Sequence, residues 1–139
     1  MLIRPYQLND EACVIDLWNR CGLLRAWNDP KKDIARKLSV QPELFLVGVC
    51  DVQVIATVMA GYEGHRGWIN YLAVDPRHQR AGFGRAMMAE AERILLDLGC
   101  PKINLQIRKD NLKAIAFYER IGFADDLVVS LGKRLVSDD

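Results

Sequence analysis

The sequence is poor in the residues that build metal and disulfide centres. Its four cysteines stand at positions 13, 21, 50 and 100 and form no Cys-x-x-Cys pair, and its two histidines, His65 and His78, are far apart. That leaves no zinc spacing, and the thiols read as small buried or half-buried side chains of a reducing compartment, with a nucleophilic cysteine the remaining alternative. No apolar run is long enough to cross a bilayer, and the first residues, MLIRPYQLNDEA, lack the core of a signal peptide. Charge of one sign is also missing. Nineteen Lys and Arg stand against 18 Asp and Glu, for a net charge of +1. A general nucleic-acid or membrane-surface binder is usually more basic. The expectation is a cytoplasmic chain with no metal, membrane or nucleic-acid partner.

What remains is ordinary globular material: 139 residues, half of them hydrophobic and 27% charged. One domain covering 1–139 is expected, with enough chain to bury a core. Leu2 to Pro5 reads as an edge strand. Asn9 or Asp10 can cap a helix with the stripe Val14, Leu17, Trp18 and Cys21. Asp29-Pro30 opens a second helix running to about Leu38. Strands follow at 44–50, 52–59 and 68–74. A long helix spans 83–98, with Phe83, Met87, Ala91, Ile94 and Leu98 on one face. A strand at 102–108, a helix at 111–121 and one or two final strands complete the order. Hairpins in the first half and strand-helix alternation in the second predict an α/β (α+β) fold, a mixed sheet with helices on both faces.

Chemistry concentrates between the third hairpin strand and the long helix, in Val74-Asp75-Pro76-Arg77-His78-Gln79-Arg80-Ala81-Gly82-Phe83-Gly84-Arg85. Gly82 and Gly84 let an anion approach the backbone, and the first N–H groups of the helix have no internal partner. Such a turn takes a phosphate, and Arg80 and Arg85 add charge. The alternative is a helix N-terminus with two incidental glycines. A P-loop would need Gly-Lys-Ser/Thr, and a dinucleotide fingerprint a third small residue where Met87 stands.

Gln79-x-x-Gly82-x-Gly84, with Asn111-x-x-Ala114-x-x-Phe117-Tyr118-Glu119-x-x-Gly122-Phe123 downstream, resembles the GNAT superfamily of acyl-CoA-dependent N-acetyltransferases. The resemblance covers essentially the whole chain. It implies the order β1-α1-α2-β2-β3-β4-α3-β5-α4-β6-β7, with β4 and β5 splayed apart. LLRAWNDP, GYEGHRG and SLGKRL resemble a narrower branch, the bacterial YpeA-type proteins. The resemblance further implies acetyl-CoA as cofactor. The backbone of Leu72, Ala73 and Val74 would pair with the pantetheine arm. Gln79, Arg80, Ala81, Gly82, Phe83, Gly84 and Arg85 would cradle the pyrophosphate, and Asn111 would bond the cofactor near the pantetheine. Tyr118 would stand by the sulfur as catalytic acid. The acceptor would be a primary amine of a small molecule or a protein, attacking directly in a ternary complex, and the chain a monomer or homodimer.

On its helix Tyr118 shares a face with Ala114, Ile115 and Ile121 and so points inward, where a core tyrosine is the alternative role. The general base is less defined. The related ribosomal-protein acetyltransferases carry a glutamate where this chain has Gln106, and an amide accepts no proton at neutral pH. Glu63 and His65 are substitute candidates, each also readable as a solvated loop residue. A water held by Gln106 and Asn104 is a third route. Trp27, Asp125 and Asp126 are candidates to line the acceptor site, each also readable as a packing or turn residue. The competing function is a CoA-binding regulatory module with weak or no catalysis, which Gln106 favours and Tyr118 opposes.

Overall fold

A computed structural model describes residues 1–139. Two compact units divide the chain, residues 1–104 with 138–139, and residues 105–137.

In the first unit, strands β1 (Leu2–Pro5), β2 (Phe45–Cys50), β3 (Gln53–Tyr62) and β4 (Gly67–Val74) pair antiparallel in sequence order. Strand β5 (Ile103–Leu105) completes a five-stranded sheet beside β4. Helices α1 (Glu11–Arg20), α2 (Pro30–Leu38) and α3 (Phe83–Asp97) cover it. Buried on both faces, β2 reads as a continuous apolar run. Val47 joins a cluster with Val14, Leu17 and Trp18 of α1 and Ile34 of α2. Its neighbour Gly48 lies against Met87 of α3. Adjacent strand residues face opposite ways, so α1 with α2 and α3 lie on opposite sides of the sheet.

Local chemistry sets the boundaries. Asp29 caps α2 by accepting from Lys31 N–H at 2.9 Å, with Pro30 in the first turn. At α1 the expected cap is replaced by a longer-range bond: the Asp10 carboxylate instead takes Arg4 at 2.8 and 3.0 Å and Gln7 N–H at 2.8 Å. The buried stripe of α3 is Met87, Met88, Ala91 and Leu95, and Leu98 is exposed. Of the thiols, Cys13 is exposed and Cys100 buried.

Trp18 Nε1–H donates to Thr57 Oγ1 at 2.9 Å, and Thr57 donates to the Tyr71 carbonyl at 2.8 Å. The Trp18 ring stacks on Tyr71 at 3.8 Å. These bonds satisfy the buried Trp18 N–H and Thr57 hydroxyl, whereas the Tyr6 hydroxyl of the same cluster is buried without a partner.

Gly67 is a packing requirement. A Cβ there would sit 2.8 Å from Cys100 Sγ and 3.3 Å from Leu95 and Ile103. We expect Gly67→Ala to cost about 1–3 kcal/mol by overpacking. Part of that loss should return in a Cys100→Ala background, giving a coupling above ~0.5 kcal/mol in urea titrations. Strict additivity would rule out the contact.

In the second unit, helix α4 (Leu112–Arg120) is capped by Asn111, whose side-chain oxygen accepts from Ala114 N–H at 3.1 Å. The expected strand at 102–108 is shorter, since β5 ends at Leu105. The final strands do not form: residues 122–134 have no regular structure. Asp125 turns the chain there by accepting from Leu127 N–H at 2.8 Å. Leu127, Val128, Val129 and Leu131 supply the β-prone composition that suggested strands, yet all are exposed, and a strand without a packed face gains little.

Candidate active site

Strand β4 contains a bulge. Asn70 pairs with Met59 and Ala73 with Thr57, so Tyr71 and Leu72 together oppose Val58. Tyr71 takes the left-handed conformation, φ +52°, which a bulge imposes. Pairing on the other side of β4 begins where Gly67 N–H meets the Lys102 carbonyl at 2.8 Å, and β5 has three residues. At about 3.3 Å per residue, those three cannot reach Leu72, Ala73 and Val74. The outer edge of β4 therefore continues past its partner strand, as a row of backbone groups that an extended ligand can pair with.

Asp75 ends the strand and anchors the turn into α3. It is 1% exposed. Its carboxylate accepts from Arg77 N–H at 2.9 Å, pairs with Arg20 of α1 at 2.7 Å, and meets the Arg77 guanidinium at 3.3 Å. Burial alone would raise its pKa, but the bonds from Arg77 and Arg20 outweigh burial and hold the carboxyl well below the usual range. A depressed folded pKa means stability that is complete above the unfolded value, about 3.9, and fades as pH falls through the folded one. We expect Asp75→Asn to cost about 2–3 kcal/mol at pH 7. Chemical denaturation should show a smaller gap at pH 3. A gap that does not change with pH would mean the charge is irrelevant.

From this anchor the chain makes one 3-10 turn, Pro76–His78, and then bends through Arg80 at φ +67° and Gly82 at φ +83° into α3. No side chain caps α3 and no acidic residue stands in its first turn. Ala86 is the first residue whose N–H finds an internal partner, the Gly82 carbonyl at 3.0 Å. The N–H groups of Phe83, Gly84 and Arg85 thus point outward at the positive end of a 15-residue helix. By contrast, Asp29 and Asn111 cap α2 and α4. A Cβ on Gly82 would meet nothing within 4 Å, so the space above the turn is open. Ala81, Arg80 and Arg85 are exposed around it. These groups fit a pyrophosphate. Gln79 folds back, donating from its side chain to the Val74 carbonyl at 3.0 Å, a carbonyl that Cys21 also approaches at 3.2 Å.

In the second unit, Tyr118 is ringed edge-on by Phe117 and Phe123 at 5.1 and 5.5 Å. Burial pushes its phenol up to about 12, so it carries its proton at neutral pH. Gln106 donates from its amide to Ser130 Oγ. Back in the first unit, Glu63 closes its own loop, accepting from His65 N–H at 2.7 Å and from Arg66 N–H. Those two donors hold its carboxyl below the ordinary range. Trp27 is 53% exposed.

The Acetyltransferase (GNAT) family matches residues 10–123. An acetyltransferase of Yersinia pestis (strain Pestoides F) is 45% identical over 138 residues, 99% of this chain and 98% of that one. The chain belongs to the GNAT family of acetyltransferases. Its fold is that of an aminoglycoside 6'-N-acetyltransferase from Acinetobacter haemolyticus, with a TM-score of 0.76 at 21% identity over 98% of this chain and 100% of that one. A second aminoglycoside enzyme, AAC(6')-Iy, was solved with a bisubstrate analogue that includes CoA, and matches with a TM-score of 0.76 at 17% identity over 96% and 97% of the two chains. At those identities the likeness shows the fold. Within the GNAT chain, Asp75, Arg20 and the bulged Tyr71 were not among the residues singled out from sequence. Asp75 was visible only as the Asp of an Asp-Pro strand end, while Arg20 meets it from 55 positions away. No helix is long and apolar enough to cross a membrane.

Proposed function

We propose that this GNAT enzyme moves an acetyl group from acetyl-CoA to a primary amine by direct attack in a ternary complex. The observation that carries the reading is the uncapped, acid-free start of α3 at Gly82, flanked by Arg80 and Arg85. Acetyl-CoA would supply the activated acyl group as a thioester. The edge of Leu72, Ala73 and Val74 would hold the pantetheine arm by backbone pairing. Residues 79–85 would hold the pyrophosphate, and the second amide hydrogen-bonding edge of Asn111 would meet the cofactor. A backbone N–H freed by the bulge at Tyr71 and Leu72 would face the charge that develops on the carbonyl oxygen.

Tyr118 would donate to the departing thiolate. A phenol near 12 is about 3.5 pH units weaker as an acid than a thiol near 8.5, so full transfer is uphill by about 5 kcal/mol. Its contribution is then a hydrogen bond that stabilises the thiolate while the amine's own proton becomes available. We further infer one functional domain over residues 1–139, placement in the YpeA-type branch, an intracellular setting, and action as a monomer or homodimer on a small-molecule or protein amine. Trp27, Glu63 and Gln106 remain the proposed acceptor-side residues. Because Glu63 is bonded to its own loop, the proposed proton route is a water held by Gln106, or an amine that arrives neutral.

The test is CoA release across a panel of amines, followed by pH profiles with two acceptors of different pKa. We expect kcat/KM to rise with pH toward each amine's own pKa, without a plateau near neutrality. A limb fixed across both amines and abolished in Glu63→Gln or His65→Gln would name that residue as base instead. No CoA release with any amine would contradict the reading.

A further inference from the structure

The start of α2 holds a second carboxylate besides its own cap. Asp29 already caps α2 through its own side chain. Yet Asp138, 109 positions away, brings a second carboxylate to the same end, where Asp29 N–H donates to its Oδ2 at 2.7 Å. Arg36, further along α2, grips Oδ1 at 2.6 Å and reaches Oδ2 at 3.5 Å. Lys32 Nζ donates to the Asp138 backbone carbonyl at 2.8 Å. The Asp138 side chain is 3% exposed, while the Arg36 side chain is half exposed. A backbone donor and a forked guanidinium converging on one carboxylate make a carboxylate receptor, and Lys32 holds the backbone beside it. One acidic group competes for it, since Asp33 lies 3.4 Å from the same guanidinium.

This receptor connects to the proposed transfer strand. Asp33 accepts the Tyr71 hydroxyl at 2.6 Å, and Tyr71 is the bulged residue of β4 immediately before Leu72. Trp27, one of the candidate acceptor-side residues, stands in the loop just ahead of α2. We propose that the pocket formed by the Asp29 N–H and Arg36 is a carboxylate subsite of the acceptor site, filled by Asp138 in the resting chain and taken over by an amine that carries its own carboxylate. The acceptor class so named rests on the transfer reaction proposed above. Asp138 is then a built-in competitor, which admits acidic acceptors and disfavours neutral ones.

Two arms test this, and the first is independent of catalysis. Asp138→Ala removes the carboxylate from the Asp29 N–H and Arg36 and should lower Tm by roughly 5 °C. Sodium acetate should restore roughly half of that loss or more by binding the vacated receptor, whereas sodium chloride at equal ionic strength should not. Adding Arg36→Gln should abolish the rescue. Asp138→Ser carries the same comparison should the alanine variant fail to fold. In the second arm, 4-aminobutanoate is compared with 4-aminobutanamide, and a tripeptide with its C-terminal amide, by CoA release on the unmutated chain. The acid of at least one pair should have a KM at least tenfold lower, a preference lost in Arg36→Gln. No acetate rescue would overturn the receptor. Rescue without acid preference would reduce Asp138 to a tail anchor and overturn the subsite. Absence of CoA release from every amine would refute the transfer reaction while leaving the acetate arm to decide the receptor.

Discussion

Tyr118→Phe should lower kcat by about 10²–10³, the cost of losing one hydrogen bond to developing charge, and leave acetyl-CoA affinity within a few fold. The substitution deletes one hydroxyl and keeps the edge-on packing against Phe117 and Phe123. The hydroxyl's bond strengthens as charge gathers on the leaving sulfur, so its loss falls on the transition state and not on ground-state binding. The raised phenol adds a second signature. With a pKa near 12, Tyr118 stays protonated across the assay range, so it should contribute no descending limb to kcat below about pH 11. Stopped-flow measurement of the chemical step makes the comparison. An unchanged rate for that step in Tyr118→Phe would return the residue to a packing role.

The second large effect is expected at Gly82. Its φ of +83° disfavours any side chain, and a valine there would stand in the open space above the α3 N-terminus. The apo variant should be destabilised by about 1–2 kcal/mol from backbone strain but remain folded, since no atom lies within 4 Å of the new Cβ. Acetyl-CoA affinity should fall by about 100-fold, because blocking the approach forfeits two or more charge-assisted hydrogen bonds. Titration calorimetry on the folded variant measures this. Undiminished affinity would place the pyrophosphate elsewhere.

The parts of this molecule that were legible in the sequence are those in which neighbouring residues decide the structure. Asp29-Pro30 gave a capped helix start, because the cap and the N–H it satisfies lie within two positions; the cap that Asn111 supplies to α4 was not read from the sequence. The turn at Gly82 was readable for the same reason. What escaped depends on distant partners. Asp10 serves Arg4 instead of capping α1, and Asp75 needs Arg20 from another element. The bulge at Tyr71 exists only in the register of β3 against β4. The Asp138 receptor joins positions more than a hundred residues apart. Residues 127–131 show the converse error. Their composition favours a strand, but composition carries no information on whether a neighbour is present to pair with them.

The whole functional reading stands on acetyl-CoA meeting the start of α3. A thermal-shift titration of the unmutated protein with acetyl-CoA is the most direct measurement. At a hundredfold excess over Kd, linkage adds about 2.7 kcal/mol, a rise in Tm on the order of 10 °C. Gly82→Val should show little of that rise at the same concentration. An unmutated protein whose Tm does not move at any acetyl-CoA concentration would contradict the assignment of the cofactor and, with it, the mechanism built on Tyr118.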